Sequence, residues 1–475
     1  MKNISIIYAT DSKNGFSKNN KIPWDIVKYS NDLNHFAKIT KTNNYNNDKK
    51  NILLFGYNTW IDLPFKNKKF PNRISCVLTS KELNNQEDLY FFKNINSFLL
   101  YLIQNRESYN DIYIIGGKTI IETFIKMSII NNIYHSVIPE DSDCDNFINN
   151  SFLSSYNLEY SYSDNQNIIY YKYNNNNNNN FENKYLNLLW EILITGDYRQ
   201  TRNAKTYSLF SKELTFDLKQ YFPVLTSRKM FFKGIFEELI FFLKGQTDSK
   251  ILESKNVNIW KPNTTKEFIQ KCNLNYEEGD MGPMYGFQWR HFNAEYKGKN
   301  YDYTNQGIDQ LTDVFDLLIK DKFSRRILLT DYNPAQAKQG VLYPCHSIII
   351  QFYVKEINNI NYVSLNMYQR SVDTTCGLGF NITSTALLLY LICNTLNAKV
   401  NNNIYCPDMM KIIMGDVHIY DSHIDNILTQ IQREIYKPPT INIKNKYTNI
   451  EDYKWEDIEI INYVSHPALK YDMVA

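Results

Sequence analysis

Seven consecutive asparagines, at 174–180, constrain the fold more than any other feature of this chain. A run without apolar side chains has no face to bury, so it reads as a linker rather than part of a core. At 475 residues the chain is also longer than one ordinary hydrophobic core sustains. Two domains are therefore expected, 1–173 and 185–475, joined by an Asn-rich linker over 174–184.

Hydrophobic residues make up 43% of the chain and aromatic residues 15%, enough for both halves to pack. The 52 basic and 50 acidic residues leave a net charge of +2. That balance gives neither nucleic acid nor a membrane surface a reason to be the main partner. No interleaving of basic and aromatic residues suggests RNA binding, a reading that a steep salt dependence of RNA affinity would revive. The seven Cys (76, 144, 272, 345, 376, 393 and 406) are odd in number and dispersed, without metal-ligand spacing. Reduced thiols in the cytoplasm, and no metal site, are expected. The N-terminal apolar residues read as a strand, too short for a signal peptide, and no apolar run is expected to span a membrane.

Over 1–173, short apolar runs alternate with helical patterns. Strands are expected at 4–9, 51–55, 73–79, 111–115, 133–138 and 168–173, and helices at 32–39, 95–104 and 119–127. Such alternation suggests an α/β sheet. Gly116-Gly117 falls between a strand and a helix, where glycine lets a phosphate or ring approach the backbone and the positive helix end. By itself a Gly-Gly pair equally marks a plain turn. Asp32 and, one turn on, Phe36 lie on the helix that follows Ile22-Pro23-Trp24. A lone carboxylate there equally suits a solvated or capping position.

The second half is expected to be α+β. A helix is expected at 185–194 and a strand pair at 214–225, with Pro223 at a bend. Helices at 235–243 and 383–396 are nearly all apolar and should be buried. The densest chemistry lies at 343–381. Tyr343-Pro344-Cys345-His346-Ser347 leads into an apolar run, 348–354. Pro344 suits the lead-in of a strand, which puts Cys345 near a strand end, facing a cleft. A thiol is an effective nucleophile only as thiolate, and Arg370, Arg325 and Arg326 are cations that could lower its pKa. Asp373 and Asn381 could read a polar ring by hydrogen bonds. A lone Cys in such a strand is more often a structural thiol.

The ordered set changes that reading. Pro344-Cys345-His346, Gln369-Arg370-Ser371-Val372-Asp373 and Gly377-Leu378-Gly379-Phe380-Asn381 resemble the nucleophile and nucleotide-reading segments of the thymidylate synthase family. Glu237-Glu238-Leu239, Ile259-Trp260, Gly282 to Arg290, Ser324-Arg325-Arg326 and Gly415 to Tyr420 extend the resemblance from about residue 185 to the C-terminus. The resemblance implies methylation of dUMP, with methylene-tetrahydrofolate as co-substrate and reductant. Cys345 would attack ring carbon 6, and Glu238, in an apolar helix, would relay a proton. Arg202, Arg325, Arg326, Arg370 and Ser371 would hold the phosphate, with Arg325 and Arg326 coming from the second chain of a homodimer. His346, Gln369, Asp373, Asn381, His418 and Tyr420 would complete the dUMP site, and Trp260, Asn263, Tyr285 and Asp373 the folate site. The family's Arg-Thr-Gly-x-Gly phosphate loop falls in the stretch Tyr198 to Thr206 here, where the glycines are gone and Arg202 is displaced by one position. Lys261 and Gly379 also depart from the usual residues.

In the first half, the order of Trp24, Asp32, Phe36, the 56–60 segment, Arg73 and Gly116-Gly117 resembles the dihydrofolate reductase family, over about residues 3–173. The resemblance implies hydride transfer from NADPH to dihydrofolate. Asp32 would bond the pterin, backed by Ser136, with Ala9, Trp24 and Phe36 as walls and Arg73 pairing with the glutamate tail. Ala9, Thr59, Thr79, Ser80, Ile115, Gly116 and Gly117 would contact the cofactor. Tyr57 stands where an arginine is usual and Ile121 where a tyrosine is usual. Both open an alternative, an active synthase with a weakened, scaffold-like reductase.

Overall fold

The computed structural model describes residues 2–42, 45, 47–65, 67–175, 180–201, 204–400 and 404–473. It divides into two compact units. Unit 1 is Met1–Gly196 with Ile424–Glu434, and unit 2 is Asp197–His423 with Ile435–Ala475.

Unit 1 is built on an eight-stranded sheet. Its strands are β1 (Ile4–Thr10), β3 (Lys50–Gly56), β4 (Arg73–Leu78), β5 (Leu89–Phe92), β6 (Tyr109–Gly116), β7 (Asn132–Val137), β9 (Asn157–Ser163) and β10 (Ile169–Asn174), in the order β5-β4-β3-β6-β1-β7-β10-β9. The short β2 (Gly15–Ser17) and β8 (Asn146–Phe147) pair separately. The first six strands in that order are parallel, and β10 and β9 turn antiparallel. Ile4, Ile6, Ile52, Leu53, Leu54, Ile112 and Ile114 are wholly buried, the two-sided burial that parallel strands require. Helices α1 (Ser30–Lys41), α3 (Ile95–Gln104) and α4 (Lys118–Ile125) follow the expected pattern, and the short α2 (Tyr57–Ile61) was not expected. Asn94 and Ser97 form a capping box at the start of α3.

The expected linker is shorter than the sequence suggests. Helix α5 (Phe181–Thr195) begins inside it, with the Asn180 side chain accepting from the Glu182 amide as the cap. Phe181, Tyr185, Leu186 and Leu189 are buried. The apolar face of α5 thus recruits the last of the Asn run as a cap. Residues 176–179 lie outside the described residues.

Unit 2 carries a six-stranded sheet. Strands β11 (Asp197–Gln200), β12 (Lys205–Asp217), β13 (Leu328–Leu329), β14 (Ile349–Ile357), β15 (Ile360–Asp373) and β16 (Ile404–Tyr420) lie in the order β11-β12-β16-β15-β14-β13. Only β15 and β16 run parallel. Helices α6 (Phe232–Leu243), α7 (Lys250–Glu253), α8 (Lys266–Lys271), α9 (Gly286–His291), α10 (Gln310–Lys320) and α11 (Leu378–Lys399) complete the unit. Helix α12 (Ile424–Ile431) packs with α3 and α5 in unit 1.

Two expectations are corrected. The strand pair at 214–225 is instead the end of β12 and an irregular crossing. Leu218, Phe222, Val224 and Leu225 are buried there, and the Pro223 carbonyl accepts from Thr383 of α11. Apolar content reflected burial rather than strand pairing. Second, α11 is long and apolar enough by composition to cross a membrane, against the expectation that no segment would be. In the fold 72% of its apolar window is buried, against β15, β16 and α6 among others. It is apolar all round because protein surrounds it.

Candidate active sites

In unit 1, parallel pairing carries two groups of residues to the carboxyl ends of the strands, where open α/β sheets place their ligands. Register sets Ala9 beside Ser136. Asp32, in the first turn of α1, accepts a hydrogen bond from the Ser136 hydroxyl. Burial holds the Asp32 carboxyl above its usual range, against that bond, and the charge of Asp164 adds to the effect. Ala9 packs against the cluster that holds Trp24, Tyr29 and Tyr170.

Phe36, one turn beyond Asp32, is 5.8 Å from the Phe70 ring, and the Arg73 guanidinium lies over both. Arg73 is only 3% exposed. It donates to the Thr40 hydroxyl at 2.7 Å and the Pro71 carbonyl at 3.1 Å, and has no ion pair among the described residues. Burial lowers its pKa to about 10. A buried guanidinium without a carboxylate is suited to receive one from a ligand.

The second group gathers where β3 and β6 end. Phe55 pairs with Gly116. A Cβ on Gly56 would lie 3.9 Å from the Gly117 nitrogen, whereas one on Gly117 would meet nothing within 4 Å. Gly117 caps α4 without a side-chain bond. The open backbone and the uncapped N–H groups fit a phosphate-bearing cofactor. Ile115 is half-buried beside them, and Thr59 lies on α2. Thr79 is buried and accepts from the Lys81 amide, while Ser80 is exposed. The Lys81 ammonium stands 4.0 Å from the Tyr57 ring centroid, so a cation is present beside the tyrosine that replaces the usual arginine. Ile121 is wholly buried, a core position.

In unit 2, Cys345 lies just before β14, and its carbonyl accepts from the amides of Arg370 at 2.8 Å and Ser371 at 3.4 Å. This knots the nucleophile segment to β15. The Arg370 Nε donates to the Pro344 carbonyl at 3.1 Å, and its guanidinium stacks over Tyr343. Tyr285 precedes α9, its hydroxyl 3.5 Å from the Cys345 sulfur and its ring stacked on His346 at 4.3 Å. The next residue is glycine for steric reasons, since a Cβ there would lie 2.1 Å from the Phe242 carbonyl oxygen.

Arg370 does lower the Cys345 pKa, as cations should, but burial outweighs it and leaves the thiol raised. The Tyr285 bond also favours thiolate, and the charge of Asp331 opposes it. Burial holds His346 near 4 and therefore neutral. Glu238, on α6, accepts from the Trp260 indole at 2.7 Å, and burial pushes its carboxyl up to about 7. The side-chain polar atoms of Asn263 and the Gln369 side-chain oxygen are buried without partners among the described residues. Groups that cost free energy when unpaired fit a polar ligand.

Asp373 ends β15 opposite His418 of β16. Its carboxylate accepts from the Thr375 amide and hydroxyl and from the Cys376 amide. His418 bonds Asp416 at 2.7 Å and meets the Tyr420 ring edge-on at 5.3 Å. Asn381 is half-buried in the first turn of α11. Arg325 and Arg326 are exposed, without ion pairs among the described residues, and no described contact brings them to Cys345 within the chain. Arg202 lies outside the described residues. A cavity of about 580 Å³ opens beside Arg326 and Ile308, and none of its lining residues belongs to the Cys345 cluster.

Sequence reasoning missed three groups here. Asp331 is buried, neither of its oxygens has a partner among the described residues, and its charge acts on Cys345. Arg228 is buried and donates to the Thr375 carbonyl. His423 links Thr375, at 2.7 Å, to the Asp472 carbonyl, at 2.9 Å. No spacing signals any of them, because each is brought in by tertiary packing. Asp373, Cys376 and His423 lie close enough to hold a metal ion, but their polar atoms are already engaged in these bonds within the protein.

An α/β unit and an α+β unit, each with polar groups gathered near strand ends, fit a two-site enzyme. Comparison with known proteins agrees. The dihydrofolate reductase family matches residues 3–178 and the thymidylate synthase family residues 183–475. Among curated relatives, the bifunctional dihydrofolate reductase-thymidylate synthase of Paramecium tetraurelia is 34% identical, covering 99% of both chains. That of Zea mays is 30% identical over 99% of this chain and 97% of its own, and that of Plasmodium berghei (strain Anka) 30% identical over 99% and 92%. The chain belongs to the bifunctional dihydrofolate reductase–thymidylate synthase family.

Proposed function

We propose that unit 2 converts dUMP to dTMP with methylene-tetrahydrofolate and that unit 1 returns the dihydrofolate so released to tetrahydrofolate with NADPH. The observation that carries this reading is the contact of Tyr285 with both Cys345 and the neutral His346, in a chain that the two families match in succession. The alternative of a scaffold-like reductase is not favoured. Near-full-length bifunctional relatives argue against it, and Lys81 supplies the cation that Tyr57 lacks.

In the synthase site, the Cys345 thiolate forms a bond to carbon 6, and the electron pair moves onto the ring, activating carbon 5. Arg370 beside the sulfur favours thiolate, and with Ser371 it binds the phosphate of dUMP. Glu238 keeps its proton up to about pH 7, so it can lend and recover one at the ring's polar edge. Asn381 pairs with the uracil carbonyl and N–H, with Gln369 as a further polar partner. His418 and Tyr420, on one face of β16, hold the ribose hydroxyl. Trp260, Asn263 and Asp373 seat the folate.

In the reductase site, bound NADPH supplies the hydride. Asp32 binds the pterin amide and amino groups and holds a proton near the reduced bond. Trp24 and Phe36 exclude water, and Arg73 pairs with a carboxylate of the glutamate tail. Gly116, Gly117 and Thr59 receive the phosphates.

A second copy of the chain completes the synthase site. The sheet of unit 2 leaves Phe210 77%, Tyr353 68% and Ile349 47% exposed, an apolar face of the kind that marks an interface. Arg325 and Arg326 would cross to the partner's phosphate site, and the enzyme would work as a cytoplasmic homodimer. Tritium release from labelled dUMP, run beside loss of NADPH absorbance with dihydrofolate, tests both activities. Loss of either signal in the purified chain removes that half. Mixing Cys345→Ser chains with Arg325→Ala/Arg326→Ala chains should restore some synthase activity. If subunits exchange and activity stays at zero, the arginines do not cross.

A further inference from the structure

The proposed reaction leaves one buried acid of unit 2 unused. Asp331 is 1% exposed, and neither carboxylate oxygen has a hydrogen-bond partner among the described residues. Its place is fixed by strand register. Leu328 and Leu329 of β13 pair antiparallel with Gln351 and Ile350 of β14. Beyond Leu329 the same direction carries 330–332 alongside the chain that leads into β14. The Thr330 hydroxyl donates to the Ile348 carbonyl, and the Tyr332 and Tyr343 hydroxyls bond at 2.8 Å. Asp331 therefore sits between two residues fastened on either side of Cys345 in sequence.

The groups facing this spot are few. Tyr285 contributes a neutral hydroxyl, Arg370 a cation, and His346 a neutral ring. The charge of Glu238 also acts on Tyr285. Burial holds Asp331 well above the ordinary carboxylate range, and its charge opposes ionisation of both Cys345 and Tyr285.

We propose that Asp331 governs the charge of the nucleophile, the Asp331 carboxyl and the Cys345 thiol together holding one negative charge. Two acids in one water-poor pocket repel when both ionise, so they titrate as a pair. Loss of one proton to solvent gives either carboxylate with thiol or carboxylic acid with thiolate. The two forms differ by one proton, moved from sulfur to a carboxylate oxygen, and no other reactant is needed. Only the thiolate form attacks carbon. Arg370 favours that form, while burial and the charge of Asp331 oppose it and keep the resting sulfur a thiol. Asp331 is thus a positioning residue for charge, not a group that touches substrate. The inference rests on Cys345 being the nucleophile.

The test is the pH dependence of Cys345 alkylation by iodoacetamide, a neutral reagent, read by peptide mass spectrometry on the full chain. The wild type should show two steps, one for each proton lost by the pair. Asp331→Asn should show one step at lower pH, with roughly tenfold more alkylation near neutrality, as expected when a neighbouring like charge is removed. A merely structural role would change reactivity equally at every pH. A single step in the wild type, or superimposable profiles in wild type and variant, overturns the proposal. Should Asp331→Asn fail to fold, the number of wild-type steps and the Asp331→Ser profile decide. A fluoro-dUMP adduct at Cys345 with an unchanged alkylation profile sinks Asp331 alone. Absence of that adduct sinks the nucleophile assignment instead.

Discussion

The two units solve the problem of an empty polar site differently. In unit 1 the buried polar atoms without partners belong to Lys2 and Asn174, among the described residues, and neither lies in the proposed site. Asp32 leans on Ser136, Arg73 on Thr40 and Pro71, and only a counter-ion is wanting. In unit 2, Asn263 and Gln369 are buried in the proposed site with side-chain atoms unpaired among the described residues. Hydride transfer needs a ligand oriented beside a pre-bonded acid. Bond formation to sulfur needs groups whose partners arrive with the substrate. The unpaired atoms cost stability and are expected to recover it on binding.

The sharpest break between the units is covalent. Cys345→Ser should lower dUMP methylation by roughly three orders of magnitude or more, as removal of a nucleophile does. It should leave dUMP binding within about tenfold, since most contacts lie elsewhere, and leave dihydrofolate reduction unchanged. A trapped fluoro-dUMP complex in that variant would refute the assignment.

Next in size is Glu238. Its pKa is raised to about 7, so the proton is held below that pH and lost above it. If the protonated form serves the reaction, the synthase rate falls as pH rises through about 7 while the reductase does not follow it. Glu238→Gln should cost on the order of a hundredfold in kcat, the usual reach of general acid–base catalysis, and erase that inflection. Persistence of the inflection would assign it to another group.

Arg73 carries a moderate effect. Arg73→Met removes the buried cation but keeps much of the side-chain bulk. The Michaelis constant for dihydrofolate should rise roughly tenfold to a hundredfold, the worth of a charge-assisted bond, with kcat less affected. An equal loss for a substrate lacking the glutamate tail would show that Arg73 serves packing instead.

The smallest effect separates Lys81 from Tyr57. Lys81→Ala should weaken NADPH several-fold, within the range of an exposed charged contact, and leave NADH nearly unchanged. Tyr57→Arg should then change little, because the cationic place is already filled. Selective improvement of NADPH by Tyr57→Arg would reverse the assignment.

The sequence by itself marked six of the eight strands of unit 1's large sheet and helices α1, α3 and α4, but not β5, β9 or α2, because continuous apolar runs and 3.6-residue periodicity are local signals of buried parallel strands and amphipathic helices. It also marked Cys345, Glu238, Asp32 and Arg73, whose ordered motifs are short-range features. The crossing after β12 defeated it, since Leu218, Phe222 and Val224 are apolar for burial and not for pairing. Nor could it show that burial outweighs Arg370 at Cys345, because desolvation depends on every element packed around the thiol. Asp331 makes the point most plainly. In sequence it is one carboxylate among 50 acidic residues. Antiparallel register past β13 carries it alongside the chain that leads into β14, and the packed interior buries it without a hydrogen-bond partner among the described residues.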